Sequence, residues 1–279
     1  MNKRIGVAMW HYPHRTTTEN ACFFADCGYD VLGLNQWQII ECILKDGGVE
    51  LAKIISDKKV GVTVHGGMPR THNTNDVEDF KNNMKLIGEW QKKYKFIDVI
   101  SFDVFRDIRD NVSEYVDFIL NTVPECKVAL EDFGLNENEL SQIDKFKAND
   151  RFGYLIDIGH MYIRLSGNPA RDSVLLKHCP FEGERSTEQG HKEFITAIKS
   201  KTFPVFELHL HNNDGRDDLH NFLDDGTLDI KMIANVLNEL NYEGIVTIES
   251  APGFRFECES KQRDERIIND LKYWSKVYK

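Results

Sequence analysis

Hydrophobic residues fall into eight short runs separated by longer stretches of helical period. The runs begin at Arg4 (RIGVAMW), Tyr29 (YDVLGLN), Val60 (VGVTVHG) and Phe96 (FIDVISFDVF), and then at Lys127 (KVALEDFG), Phe152 (FGYLIDIGH), Val205 (VFELHLHNND) and Gly244 (GIVTIES). Most are continuously apolar and not alternating, as expected of strands covered on both faces in a parallel sheet. Their shortness and β-branched content favour strand over buried helix. Between them, Phe80, Met84, Ile87 and Gln91 trace one helix face, with Asp76 as the expected N-cap. Ile233, Val236, Leu237 and Leu240 trace another, ended by a turn at Asn241 and Gly244. Tyr115, Phe118 and Ile119 precede a stop at Pro124, and RDERIINDLKYWSKVY closes the chain with Ile267, Leu271 and Trp274 inward.

A strand followed by a helical segment thus recurs eight times, and parallel strands require such crossovers. The chain of 279 residues suits an α/β fold with a single (β/α)8 TIM barrel, which typically takes about 250. A doubly wound sheet is the alternative. It would place a Gly-rich turn after the first strand, where this chain has Trp10, His11, Tyr12 and Pro13. Residues 1–279 therefore read as one domain. The interval 161–203 is irregular, holding SGNPARDS and CPFEGERSTEQG, and reads as an extended loop after the sixth strand: a lid, or an inert surface excursion.

Composition narrows the class. The formal charge is −10, from 35 basic and 45 acidic residues, which opposes a nucleic-acid or anionic-membrane partner, since both require a basic face. No apolar run approaches the roughly 20 residues of a membrane span. Six scattered cysteines without a C-x-x-C spacing point to reduced thiols in a cytoplasmic protein.

The chemistry gathers where apolar runs end. Glu131 closes VALE, Asp157 closes YLID, His209 lies in ELHLH, and Glu249 closes VTIE, on four successive strands. A lone acid at a strand end is ordinarily a solvated terminus or a helix cap. Four in succession are different, because in a closed barrel neighbouring C-terminal strand ends converge on one mouth. Three carboxylates and an imidazole suit one divalent ion, Mn2+, Mg2+ or Co2+, with Zn2+ also accommodated. Without an ion they would repel one another. His209 and His211 point to one face, so either can serve. Other polar groups at strand ends, Trp10, His11, Asn35, His65 and Asp103, line the same mouth, His65 foremost. Arg216, Asp218 and His220 follow the seventh strand.

These residues carry a resemblance. E-D-F-G at Glu131, D-I-G-H from Asp157 to His160, H-L-H-N-N-D-G-R-D-D-L-H from His209 and T-I-E at Glu249 are similar to the xylose isomerase-like TIM barrel superfamily. That superfamily includes sugar isomerases and epimerases, inosose dehydratases and endonuclease IV. The resemblance implies a divalent ion held by Glu131, Asp157, His209 and Glu249, His209 being preferred because Asn213 and Asp214 then match the H-x-x-x-N-D pattern. It implies substrate contacts from His160 and Glu137, and a site further lined by His65, Arg216, His211, Asp218 and His220. The implied activity is a metal-dependent isomerase or epimerase of a sugar or sugar phosphate. In it, Glu131 and Glu249 exchange roles as base and acid through a cis-enediolate. The expected partner is a small sugar, with neither nucleic acid nor membrane, and a homo-oligomer is compatible. Two other activities share the ligands. A phosphodiesterase on abasic DNA, like endonuclease IV, would use a histidine on the fourth strand, where Asp103 stands. A lyase like inosose dehydratase differs in expelling a β-hydroxyl.

Overall fold

In the computed structural model the described residues are 3–69, 73–103, 111–131, 137–166, 192, 195, 196, 199, 203–251 and 260–279. Eight strands appear where the apolar runs lie: β1 Arg4–Ala8, β2 Val31–Asn35, β3 Gly61–Gly67, β4 Ile97–Asp103, β5 Lys127–Glu131, β6 Phe152–Asp157, β7 Val205–Leu210 and β8 Ile245–Ile248. They follow one another in sequence order around a closed barrel. The helices among the described residues are α1 Thr17–Cys27, α2 Gln36–Asp46, α3 Val49–Lys58, α4 Thr74–Tyr94, α5 Val112–Thr122, α6 Glu137–Ile143, α7 Ile158–Ser166, α8 Ile230–Glu239 and α9 Ser260–Val277. None is long and apolar enough to cross a membrane. Of the irregular interval 161–203, nearly all of 167–202 lies outside the described residues.

Packing divides the chain into two compact units, one built on 6–155 with 203–207, the other on the described residues of 1–5, 156–202 and 208–279. In the first, parallel pairing sets Asn35 beside His65, His65 beside Ser101, and Gly67 beside Asp103. The polar ends of β2, β3 and β4 are therefore level. Asn35 ends β2 and also caps α2, accepting the Gln38 N–H while Gln38 returns a bond to the Asn35 N–H. Strand passes into helix with no loop, so the strand end stays fixed. Thr16 and Glu19 form the same reciprocal cap at α1. Helix α4 buries Phe80, Met84, Ile87 and Gln91 as expected, but its N-cap is Asn73, and Asp76 lies in the first turn. A carboxylate is favourable at both positions, so composition alone does not separate them.

In the second unit α8 buries Ile233, Val236 and Leu237, whereas Leu240 falls at the C-cap and is exposed. Helix α9 turns Ile267, Leu271 and Trp274 inward. Asp270 is buried on that same stripe.

Candidate active and metal site

The second unit supplies the densest group of ionisable side chains. Asp157 ends β6, and its Oδ1 accepts the His160 N–H at 2.7 Å, as a capping acid does at the first turn of α7. The same oxygen lies 3.1 Å from His211 Nε2, while its buried Oδ2 has no hydrogen-bond partner among the described residues. Two residues back along β7, His209 Nδ1 meets Glu249 Oε2 at 2.8 Å. Ligand atoms of Asp157, His209 and Glu249 lie within 4.8 Å of one another, and all three side chains are buried. Burial works against the Asp157 carboxylate, but the His160 and His211 rings outweigh it and hold its carboxyl below the usual range.

A second group adjoins it. His160, His211, Asp218 and His220 also offer atoms within 4.8 Å of one another. Asp218 bridges His160 Nε2 and His220 Nε2 at 3.2 Å each. The rings of His211 and His220 stack with centroids 3.9 Å apart. Partial burial opposes the Asp218 carboxylate, yet its two imidazoles hold it far below the usual range. Burial likewise opposes a charged His220, but Asp218 and Glu249 prevail and raise it to about 9.

Two local features build this geometry. A Cβ on Gly159 would sit 2.1 Å from the His211 ring, so only glycine leaves room for that imidazole. The segment after β7 is closed at its base by Asn212 and Asn221, whose backbones exchange hydrogen bonds of 3.0 and 2.7 Å. The Asn212 amide donates to Leu223 O and accepts from Leu228 N–H, while Asn213 donates to Gly159 O. The segment between is thereby folded back so that Asp218 and His220 face His160 and His211. The sequence analysis matched Asn213 only as part of a motif and did not single out Asn212 or the glycine.

In the first unit, Glu131 ends β5, buried, with Oε2 3.7 Å from His65 Nε2. Asp103 lies 3.5 Å from the same nitrogen, and His65 Nδ1 meets Ser101 Oγ at 3.0 Å, across the strand register noted above. Trp10 stacks against His65 and lines a cavity of about 540 Å3 with Asn35, Gln38 and Arg15. Arg216 is exposed and makes no ion pair among the described residues, its backbone N–H bonding Asp214. The Glu137 side chain lies outside the described residues. Cys22, Cys42 and Cys126 are free thiols, and burial pushes Cys42 and Cys126 up to about 11. Cys179 and Cys258 lie outside the described residues.

Comparison with known proteins places the fold. An uncharacterized protein of Methanocaldococcus jannaschii is 25% identical over 155 residues, which cover 50% of this chain and 45% of that relative. This chain therefore matches under half the length of that curated relative. Among solved structures, D-psicose 3-epimerase from Clostridium cellulolyticum H10 superposes with a TM-score of 0.65 at 12% identity, covering 99% of both chains. The IOLI protein, whose crystal structure holds a zinc atom, gives 0.68 at 13%, covering 98% of this chain and 99% of that one. L-ribulose 3-epimerase gives 0.67 at 14%, covering 99% and 95%. At these identities the likeness is one of fold. A family model for the xylose isomerase-like TIM barrel matches residues 24–276, most of the sequence. With eight parallel strands in a closed barrel and that match, the chain belongs to the xylose isomerase-like TIM barrel family.

Proposed function

We propose that the protein is a metal-dependent isomerase or epimerase of a small sugar or sugar phosphate. The observation that carries this reading is the convergence of Asp157, His209 and Glu249, with a buried Asp157 oxygen that makes no hydrogen bond among the described residues. Two buried carboxylates and an imidazole at that spacing suit a divalent cation, and a cation would relieve the cost of an oxygen buried without a hydrogen bond. His209 is taken as the imidazole ligand because it groups with both carboxylates; His211 groups with His160, Asp218 and His220. Glu131 is taken as the fourth ligand from the family resemblance, with Mn2+, Mg2+, Co2+ or Zn2+ as the ion.

Bound there, a divalent ion would polarise a ketose carbonyl and acidify the neighbouring C–H. Glu249 serves as the base that removes this proton, giving an enediolate. Its carboxylate is buried, so little water competes for the proton. Return of a proton to the same carbon on its other face, with Glu131 as donor, completes an epimerisation; return to the adjacent carbon completes an isomerisation. His160, His211, Asp218 and His220 form a hydrogen-bonding wall for substrate hydroxyls, and His65 and Glu137 are further substrate contacts. Arg216 is a substrate contact in this reading only after rearrangement, since its side chain is exposed.

The test is incubation with Mn2+ and a panel of free and phosphorylated ketoses in heavy water. Exchange of one substrate C–H for deuterium, lost in Glu249→Gln with unfolding unchanged, supports the reading. A product lacking the elements of water would make the protein a lyase instead. Nicking of abasic DNA without any sugar exchange would refute the proposal.

A further inference from the structure

Asp270 is buried in α9, in the midst of a helix whose other inward residues are apolar. Its Oδ1 accepts the Leu223 N–H at 3.0 Å, and its Oδ2 has no hydrogen-bond partner among the described residues. Leu223 lies three residues beyond His220 and two beyond Asn221, just outside the segment that Asn212 and Asn221 close. The His220 carbonyl in turn accepts the Ala251 N–H at 2.7 Å, and the residue between Ala251 and Glu249 is Ser250, whose hydroxyl faces Asp270. Two charged groups also face this carboxyl. Asp224 approaches from the chain just after Leu223, and Arg266 from α9 itself, where it pairs with Asp224 at 2.6 Å and covers the Phe222 ring. Asp270 therefore stands behind both the chain that presents Asp218 and His220 and the strand end that presents Glu249, while touching none of the three.

We propose that Asp270 is a positioning residue that seats the 218–223 segment while it carries its proton and loosens that segment when it ionises. As a neutral acid, it needs only the Leu223 bond and a small polar environment. As an anion, it would be a buried charge with only the Leu223 N–H and the facing Ser250 hydroxyl to solvate it among the described residues, and fuller solvation requires water admitted by displacing Leu223. Burial drives the carboxyl up, with Asp224 adding to it. Ser250, the Leu223 N–H and Arg266 offset part of that, leaving it at about 7, so the loosening builds up as pH rises and is complete near neutral pH. Arg266 cannot cancel the charge fully because Asp224 already holds it.

The test is amide hydrogen exchange of the metal-free protein, read by mass spectrometry on peptides spanning 219–226 and corrected for intrinsic rates. Wild-type protection is expected to fall as pH rises from about 4 to 7, by at most about tenfold per pH unit, the ceiling that one ionising group permits, and to level off above pH 7. Asp270→Asn keeps an acceptor for Leu223 but cannot ionise, so its protection should stay flat. Asp224→Asn, an exposed change, should move the wild-type midpoint toward lower pH. Protection that falls equally in Asp270→Asn, or a midpoint unmoved by Asp224→Asn, would overturn the proposal. An activity arm rests on the proposed function: the alkaline limb of substrate deuterium exchange should be displaced in Asp270→Asn. If no ketose exchanges at all, that function fails while the amide measurement still decides the role of Asp270.

Discussion

At the scale of single residues, geometry turns on one glycine and one acid. Gly159→Ala would drive a methyl group into the His211 ring, which is buried and stacked on His220. The ring must move, and overpacking of this kind costs about 1–3 kcal/mol. Thermal unfolding and Mn2+ affinity should fall together in this variant. Asp270 gives a prediction about pH. Its folded-state pKa lies above that of an unfolded aspartate, so the protonated form is favoured by folding. The stability it contributes is complete below about pH 4 and is lost as pH rises through about 7. Asp270→Asn should therefore raise the melting temperature at pH 8 and leave it unchanged at pH 4. Asp157, His209 and Glu249 were legible in the sequence because each follows an apolar run whose direction is fixed by the barrel. Gly159 was not, because nothing near it in sequence reveals that the His211 ring, just past the end of β7, fills the space of its missing side chain. Asp270 left a faint trace, an acid three residues from Ile267 and four from Trp274 on the buried stripe.

At the scale of elements, the strands were the most legible part, since a continuous apolar run has few other uses in a chain of this size. Their ends were set within a few residues, and the helix ends less well. The start of α4 went to Asn73 because its side chain reaches the Asn75 N–H. Leu240 continues the apolar period of α8 but falls outside the helix, where period no longer determines burial. Contact between helices was not legible at all. Gly88 in α4 sits against the Thr122 carbonyl of α5, where a Cβ would come within 2.2 Å of the oxygen. Backbone cannot yield as a flexible side chain can. Gly88→Ala should force α4 away from α5 and destabilise the protein by about 1–3 kcal/mol, the reverse of the usual helix preference for alanine, as read by denaturant unfolding.

For the molecule as a whole, the prediction concerns loading with metal. Purified protein should hold about one divalent ion per chain, measured by elemental analysis. Removing it with a chelator should lower the melting temperature, because an ion present at a hundred times its dissociation constant stabilises a fold by about 2.7 kcal/mol. A content of two or three ions would move His160, His211, Asp218 and His220 from substrate contact to metal binding. The formal charge of −10 counts Asp157 and Glu249 as if they were bare, so it overstates the charge of a loaded protein. The clasp at Asn212 and Asn221 has a further consequence, for how such a protein diverges. Because both ends of the enclosed segment are tied to each other, the barrel is largely insulated from the length of what lies between them. Closing a longer loop costs only slightly more entropy, about 0.6 kcal/mol per doubling. Insertions between Asp214 and Asp217 should thus be absorbed without disturbing β7, which leaves the length of this segment free to vary on one scaffold.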